Sequence, residues 1–340
     1  MDAETIESRK WSGARPEVAV VIATHRRPQL LGQLLDRLAH QTIGLDRFEI
    51  VVVDDGSADA TEAMLRREVE RTALTLRVVL LPESRGPARA RNAGVAASRA
   101  PVVEFTDDDC WPEDDWVLAL LKAFGSGAAV VQGHTSPPPS EPSPGPWART
   151  IHVDGMTGLF ETCNIAYQRS WFDRVGGFDE DDPLTGRLGH GAHFGEDVVL
   201  GGRVVTAGGT AVYAPEAVVH HRWEPATYAH FVRARWRLAG FPALADHSPT
   251  LAERLVAKHF LSRRTLVTDA AVAGGLLAVL TRRSGPLVLA APWLAQRWPE
   301  AKSRAAGRPP ALRLAQLGVA DLVGLAALVV GSARHRRVVL

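Results

Sequence analysis

Three adjacent aspartates provide the clearest chemistry in this sequence. Asp107, Asp108 and Asp109 directly follow Val102–Thr106, an apolar segment with the composition of a buried strand. Like charges this close together repel unless a cation or several hydrogen-bond donors offset them. Mg²⁺ and Mn²⁺ prefer oxygen ligands and leave positions open for water and phosphate. The triplet therefore indicates a metal site, although a solvated Asp-rich turn has the same composition.

A second acidic pair lies about ninety residues further along the chain. Glu196 and Asp197 follow Gly195 and open a helical pattern. Acidic residues at a helix start interact favourably with the helix dipole, so the pair has a purely structural explanation. A carboxylate within reach of an acceptor hydroxyl is also a suitable general base. Both interpretations stay open from these two residues alone.

The elements that must position these residues alternate between strands and helices. The predicted strands are Val18–Thr24, Phe48–Val53, Leu76–Leu81 and Val102–Thr106, and the helices between them begin near Pro28, Ala60 and Ala88. This alternation predicts an α/β fold with a mixed, mostly parallel sheet flanked by helices. The polar residues that follow strand ends are Thr24, Asp54, Asp55 and Asp107. Because ligands of such sheets bind beyond the carboxyl ends of the strands, these side chains are expected to share one edge.

Seven short motifs then occur in one order. They are Thr24 after its strand, Val53–Ser57, Arg85-Gly86 with Ala90–Gly94, Phe105–Asp109 with Pro112 and Trp116, Thr162–Asn164, Gly176–Asp179, and Gly195–Asp197. Together they resemble the family 2 glycosyltransferases, which have the Rossmann-like GT-A fold and are inverting enzymes. The resemblance covers about residues 17–223. Each motif alone is a weak signal, whereas seven in order with fitting spacing form a specific one.

The resemblance implies a site for a nucleotide-diphosphate sugar. Its residues would be Thr24, Asp54, Asp55, Arg85, Arg91, Asn92, Asp107, Asp108 and Asn164. Thr24 and Asp54 would contact the nucleotide base, and Asp55 would lie toward the ribose. The arginines and Asn92 would support the nucleotide and the donor sugar, and Asn164 would lie where sugar and acceptor meet.

The resemblance also implies a divalent cation, Mn²⁺ or Mg²⁺. Asp107 and Asp109 would form the DxD pair, with Asp109 the direct metal ligand and Asp107 nearer the ribose. Asp108 is the member of the triplet that this pattern needs least. A histidine after the acidic helix often lies near the diphosphate in such enzymes, so His220 or His221 is expected as a further ligand.

For catalysis, the resemblance implies that Asp197 is the general base and Glu196 its neighbour on the acceptor side. A base opposite the leaving diphosphate gives a single displacement with inversion. The Gln-x-x-Arg-Trp element of processive polysaccharide synthases is absent, because Val232 precedes Arg235-Trp236 where Gln is required. We therefore expect transfer of one sugar to an acceptor hydroxyl, free or lipid-linked, on a cell-envelope glycan, a glycolipid or a secondary metabolite.

Two other functions fit parts of the pattern. A nucleotidyltransferase of a sugar phosphate also binds nucleotide and Mg²⁺ on an α/β sheet, but it requires a glycine-rich phosphate loop after the first strand. The segment Thr24–Pro28 contains no glycine there. A non-catalytic glycosyltransferase-like scaffold is the other alternative, and the presence of both Asp109 and Asp197 argues against it.

Length and composition suit one large α/β domain with an appendage. The 340 residues are 46% apolar and 23% charged, as in ordinary globular proteins. We predict a polar N-terminal tail over residues 1–16, a catalytic domain over 17–240 and a basic, apolar helical region over 241–340. Met1–Arg15 lacks the apolar segment of a secretory signal, and the only cysteines are Cys110 and Cys163, so a cytoplasmic location is expected.

The C-terminal region differs in charge from the rest of the chain. Residues 241–340 contain 14 Lys and Arg against 5 Asp and Glu, whereas residues 1–240 contain 25 against 33. A basic segment points to an anionic partner. Because this segment lacks the aromatic and Lys-rich interleaving typical of nucleic-acid binding, we expect no nucleic-acid partner and favour a membrane.

Three apolar stretches in this region allow several modes of association. They are Leu266–Leu280, Pro286–Leu294 and Leu314–Ser332. Only the last approaches the roughly 20 residues needed to cross a bilayer. Residues 260–337 are therefore expected at the inner face of the cell membrane, as spanning, embedded or interfacial helices, with a buried hairpin of a soluble appendage as the alternative.

Overall fold

The structure is a computed structural model that describes residues 3–11, 15–180 and 195–340. These residues form two compact units. The sheet unit contains the described residues up to 141, then 150–180 and 195–222, and the helical unit contains 142–149 and 223–340. The division after Arg222 comes earlier in the chain than the boundary predicted at residue 240.

The sheet unit is built on a mixed sheet. Among the described residues its strands are β1 (Glu4–Glu7), β2 (Val18–Thr24), β3 (Phe48–Asp54), β4 (Leu76–Leu80), β5 (Val102–Asp107), β6 (Cys110–Pro112), β7 (Val130–Ser136), β8 (Ile165–Gln168) and β9 (Ala211–His221). Their spatial order is β1-β4-β3-β2-β5-β8-β7-β9-β6. The central strands β4, β3, β2 and β5 pair in parallel, while β1, β8 and β6 run antiparallel to their neighbours. The predicted α/β class is confirmed.

Helices cover this sheet. They are α1 (Pro28–Leu38), α2 (Thr61–Arg71), α3 (Pro87–Ala97), α4 (Trp116–Ala123), α5 (Arg169–Arg174) and α6 (Glu196–Thr206). Alternate residues of β2 enter two separate apolar clusters: Val20 and Ile22 join the leucines of α1, whereas Val21 joins the cluster that contains Val95 of α3. A strand buried on both faces must be apolar at nearly every position, which is why β2 and β3 read as continuous apolar runs.

The predicted polar tail over residues 1–16 contains a strand. β1 pairs antiparallel with the outer edge of β4. Its side chains are mostly exposed and polar, and Arg66 binds Glu4 at 2.7 Å while Arg77 pairs with Glu7. Backbone pairing and ion pairs hold this segment in place. The strand therefore has no apolar pattern, and the sequence did not indicate it.

A glycine pair, Gly201-Gly202, lies inside α6, although two adjacent glycines are more typical of a turn. A Cβ on Gly201 would lie 2.1 Å from Cγ of the buried Phe160 ring. Glycine is therefore required at this position for close packing of the helix, which the sequence pattern could not distinguish from a turn.

The helical unit is entirely helical in its regular elements. They are α7 (Tyr228–Ala234), α8 (Phe241–His247), α9 (Pro249–Glu253), α10 (Arg263–Thr281), α11 (Ala291–Ser303) and α12 (Pro310–His335), with 3₁₀ segments at Arg235–Gly240 and Gly285–Ala290. By length and composition, α10 and α12 are each long and apolar enough to cross a membrane. From the sequence only the α12 segment was expected to be long enough, because the apolar stretch Leu266–Leu280 is shorter than the roughly 20 residues needed.

Candidate active site

The strand register brings Thr24 to the aspartate triplet. β2 and β5 pair in parallel with Ala23 opposite Asp107, so both strands end at the same level. The Thr24 hydroxyl donates a 2.7 Å hydrogen bond to Oδ2 of Asp108. Burial raises the pKa of Asp108 to about 6, with the neighbouring charge of Asp109 also raising it and Arg27 and Thr24 opposing. Asp108, the member the motif needs least, is thus a buried structural partner of Thr24.

Arg27 is a residue of this edge that the sequence analysis missed. Its guanidinium lies 3.0 Å from Oδ1 of Asp108 and 2.9 Å from Oδ2 of Asp109. It follows Thr24 by three residues, at the turn into α1. A positively charged side chain just past the end of β2 was the feature of the sequence that could have identified it. The guanidinium of Arg27 therefore offsets part of the negative charge of Asp108 and Asp109.

Arg91 joins the two acidic motifs. It extends from α3, is buried, and donates to Asp107 Oδ1 at 2.9 Å and to Glu196 Oε1 at 3.2 Å. Burial acts to lower the pKa of Arg91, but Asp107 and Glu196 raise it on balance. The end of β5 and the start of α6, far apart in the sequence, therefore belong to one electrostatic cluster.

Asp197 follows Glu196 in the first turn of α6. Its Oδ1 accepts a 2.9 Å hydrogen bond from the Val198 amide. Burial raises the pKa of Asp197 well above its ordinary value, and the charges of Glu196 and Glu161 raise it further. A carboxylate in this environment is a stronger base than a solvated aspartate.

Glu161 is the second site residue that the sequence analysis missed. Burial raises its pKa to about 7. It precedes the motif Thr162–Asn164 by one position, but no pattern indicated that it would face Asp197. Proximity in space, which depends on the packing of α6, is the only signal for it.

Several buried polar atoms near Asp197 have no hydrogen-bond partner among the described residues. They are Nε of Arg91, Oε1 of Gln132, Oε2 of Glu161 and the hydroxyl of Tyr167. The pKa of Tyr167 is raised by burial and then by the charge of Asp197, which places the two residues in one environment. Because unpaired buried polar atoms are costly, the arrangement suits a polar ligand that supplies the missing partners.

We expect Glu161→Gln to make the fold less sensitive to high pH. An acid whose pKa is raised on folding contributes stability at low pH, and this contribution is lost as pH rises through the folded-state pKa. For Glu161 that window runs from its ordinary 4.5 to about 7. At 1.36 kcal/mol per unit, the wild type loses on the order of 3 kcal/mol across it and the neutral variant does not. Thermal unfolding of both proteins below and above this window measures the difference.

The control for this prediction is Glu216→Gln, the same change at an exposed position. Its unfolding temperature should follow the wild type at every pH. Parallel pH dependence of the wild type and Glu161→Gln would show that Glu161 is not held in its protonated form.

Of the two neighbouring histidines, His221 faces the aspartates. Its Nε2 lies 3.6 Å from Asp109 Oδ1, and its Nδ1 lies 3.0 Å from the Arg222 carbonyl oxygen. If Nδ1–H donates to that carbonyl, Nε2 is left unprotonated and available to a metal. His220 points to the opposite face of β9, where Glu113 at 2.7 Å and Ser136 at 3.2 Å engage its two nitrogens.

Asp109, Cys110 and His221 together could hold a metal ion, because their ligand atoms lie within 4.8 Å of one another. Burial and the neighbouring Cys163 raise the pKa of Cys110 well above its usual range, so its thiol is neutral. Mg²⁺ and Mn²⁺ bind oxygen and imidazole better than a neutral thiol. The donor set therefore fits these cations through Asp109 and His221.

The Asp54-Asp55 turn forms the other side of the edge. Asp54 Oδ1 accepts from the Ser57 amide at 3.1 Å, and burial raises the pKa of Asp54. Asp55 accepts from the amides of Arg85 and Gly86 at 3.1 and 2.9 Å, which ties this turn to the start of α3. The Arg85 side chain is exposed and pairs with Glu83.

The two asparagines make structural contacts. The Asn92 side chain donates to the carbonyl of Phe178 and accepts from its amide, both at 2.9 Å. Asn164 is fully buried and accepts from Trp116 Nε1 at 2.8 Å while donating to the carbonyls of His134 and Ala217. Contacts of Asn92 and Asn164 with the nucleotide sugar stay predictions.

The strand order, the carboxylates at the ends of β2, β3 and β5 and the acidic start of α6 define the class of protein: this is the GT-A fold. Residues 19–186 match the family "Glycosyl transferase family 2". The matched segment, just under half of the chain, therefore belongs to that family.

Two relatives that are named glycosyltransferases are also similar to this chain in sequence. Validoxylamine A glucosyltransferase of Streptomyces hygroscopicus subsp. jinggangensis is 32% identical over 227 residues, covering 56% of this chain and 51% of that protein. Pre-mycofactocin glycosyltransferase of Mycobacterium tuberculosis is 30% identical over 236 residues, covering 65% and 46%. The chain spans about half the length of these relatives.

Solved structures share the fold. The mannosyltransferase of Pyrobaculum calidifontis, in complex with GDP-Man and Mn²⁺, superimposes with a TM-score of 0.56 at 20% identity, covering 95% of this chain and 88% of that one. Residues 1–349 of S. aureus TarS in complex with UDP give a TM-score of 0.51 at 17% identity, covering 94% and 92%.

Proposed function

We propose that this chain transfers one sugar from a nucleotide-diphosphate sugar to an acceptor hydroxyl, with inversion at the anomeric carbon. The observation that carries the proposal is the Arg91 bridge between Asp107 and Glu196. It holds the metal-binding strand end and the catalytic helix start in one cluster. A displacement reaction requires such a juxtaposition of leaving-group and nucleophile functions.

The donor lies along the edge formed by Thr24, Asp54, Asp55 and the aspartate triplet. A divalent cation bound there supplies positive charge to the departing diphosphate. Asp109 and His221 would hold it, and the remaining positions suit diphosphate oxygens and water. Arg27, already beside the triplet, adds a second positive charge within reach of the same region. Support comes from the donor set itself and from the neighbouring structure that contains GDP-Man and Mn²⁺.

Asp197 takes the proton of the acceptor hydroxyl as its oxygen attacks the anomeric carbon. Its raised pKa favours this proton transfer once the carboxylate is ionised. The unpaired atoms of Gln132, Glu161 and Tyr167 offer hydrogen bonds to sugar or acceptor hydroxyls beside it. The acceptor is a hydroxyl of a cell-envelope glycan, a glycolipid or a secondary metabolite, and the reaction takes place at the cytoplasmic side of the membrane.

A donor screen tests this proposal. The purified full chain is incubated with UDP-, GDP- and dTDP-sugars and Mn²⁺, and release of nucleoside diphosphate is measured with and without chelator. We expect slow, metal-dependent hydrolysis of one nucleotide class, since water replaces the acceptor in its absence. Asp114→Asn, a variant at an exposed aspartate outside the proposed site, should hydrolyse the same donor at the rate of the wild type.

The same screen includes sugar phosphates with nucleoside triphosphates. Release of pyrophosphate from that mixture, without hydrolysis of any nucleotide sugar, would identify a nucleotidyltransferase instead. Binding of a nucleotide sugar with no turnover of any kind would indicate a scaffold.

A further inference from the structure

The longest helix of the helical unit, α12, is apolar on its exposed side and contains two charged residues on its buried side. Arg313 and Asp321 are buried there among apolar and small residues such as Leu317 and Leu328. Between positions 311 and 333 its exposed residues are all apolar: Ala311, Leu312, Ala315, Val319, Leu322, Ala326, Val329, Val330 and Ala333. A helix on the surface of a water-soluble domain instead has charged and polar residues on its exposed side.

The end of α10 and the segment after it continue this pattern. Their exposed large apolar side chains are Leu276, Leu277, Val279, Leu280, Leu287, Val288, Leu289, Leu294 and Trp298. Across the described part of the chain, every large apolar side chain of high exposure lies between residues 276 and 338. We call the exposed apolar residues of α12 and of 276–298 the apolar surface. Exposure of so many large apolar side chains within one unit indicates an interaction site.

The interior of the unit contains charged residues, whereas the apolar surface contains none. Arg297 is fully buried, and its Nε donates to Asp321 Oδ2 at 2.8 Å. Trp293 Nε1 donates to the same oxygen at 2.9 Å. Paired charges inside and apolar side chains outside indicate that the medium around the apolar surface is itself apolar.

The opposite side of α12 faces protein that is exposed to water. α12 packs on the 3₁₀ segment Arg235–Gly240 and on α8. A Cβ on Gly331 would lie 2.3 Å from the Ala239 carbonyl oxygen, so the two backbones are in close contact. α12 also contacts α7 on this side. Its exposed charged and polar residues include Arg233 of α7 and Arg237, Asp246 and His247. The unit therefore has one apolar side and one charged side.

We propose that the apolar surface inserts into one leaflet of an anionic lipid bilayer with α12 lying in the membrane plane. A helix that crossed the bilayer would carry the packed charged side into hydrocarbon, which is strongly unfavourable. In-plane insertion leaves that side in water. Arg282 and Arg283 are exposed at the end of α10, beside the apolar surface, and interact with lipid phosphates.

Flotation with vesicles tests the partner. The full chain is mixed with vesicles of phosphatidylcholine alone or of equal parts phosphatidylcholine and phosphatidylglycerol. We expect most protein to float with the anionic vesicles and little with the neutral ones. Leu276→Glu combined with Leu280→Glu should abolish flotation, and because both side chains are exposed, unfolding temperature should not change.

A matched pair of variants tests the orientation. Arg282→Gln with Arg283→Gln should reduce flotation at least tenfold, whereas Arg233→Gln with Arg237→Gln, the same loss of charge on the opposite side, should not. Equal effects of the two pairs would overturn the proposed orientation. The wild type could instead fail to float and form a dimer without lipid. If the Leu276 and Leu280 changes abolish that dimer, the apolar surface binds a second copy of the chain.

Labelling of single cysteines introduced just beyond the two ends of α12, Arg308→Cys and Arg336→Cys, tests the in-plane mode on sealed vesicles, because both positions are exposed and the native cysteines are buried. A membrane-impermeant maleimide added outside should label both positions, whereas protection of one of them until the vesicles are opened would show that α12 crosses the bilayer. These readouts do not depend on sugar transfer, so the membrane proposal and the proposed function can fail separately.

Discussion

Replacing Asp197 with asparagine is expected to lower the turnover of sugar transfer by about 10²–10⁴-fold, the contribution of a general base. Asparagine has nearly the same shape, and its Oδ1 can still accept the hydrogen bond from the Val198 amide. It cannot take a proton from the acceptor. The affinity for the nucleotide sugar, measured by calorimetry, should therefore remain close to that of the wild type.

The matched control is Asp173→Asn, the same change at an exposed position on α5. Its turnover should equal that of the wild type. If Asp197→Asn keeps near-wild-type turnover, Asp197 is not the base. If it loses donor affinity together with turnover, the residue acts through the donor site.

The pH profile provides an independent readout of the same residue. Because burial raises the pKa of Asp197 well above its ordinary value, the carboxylate is protonated at pH values where a solvated aspartate is ionised. Turnover should fall as pH decreases through this raised pKa, since only the ionised form accepts a proton. The acidic limb of the kcat profile should therefore lie above the usual aspartate range, and it should be absent from the residual activity of Asp197→Asn.

The second large effect concerns the cation. Binding of nucleoside diphosphate should require Mn²⁺ or Mg²⁺ and should be lost in Asp109→Ala, which removes a direct ligand. We expect a decrease of at least the roughly 10–100-fold that loss of an outer partner of a metal site typically costs. Calorimetry with and without metal measures it, and metal-independent binding by the wild type would contradict the DxD assignment.

The adjacent histidines supply a matched pair for this test. His221→Ala should weaken metal-dependent binding, because its Nε2 faces Asp109. His220→Ala should not, because that side chain lies on the other face of β9 with Glu113 and Ser136. Equal losses in the two variants would show that neither histidine is a specific ligand.

The sequence by itself determined the elements and their order. Apolar runs such as Val18–Thr24 predicted strands that the structure contains, because a strand buried on both faces has to be apolar. The position of Asp54 and Asp107 directly after such runs predicted a shared edge, and parallel pairing of β2 with β3 and β5 produces it. These features depend on local composition and period, which a sequence displays directly.

Only the tertiary structure decided which side chains act together. Nothing in the sequence distinguished His221 from His220. Adjacent residues of β9 point to opposite faces of the sheet, and the pairing of β9 with β6 decides which of the two histidines faces the aspartates. Glu161 and Arg91 reach the acidic helix through packing of α6, across separations that no local pattern spans. The burial of Arg313 and Asp321 beneath an apolar exposed side of α12 was likewise hidden, because composition shows that a helix is apolar and only packing shows which face is outside.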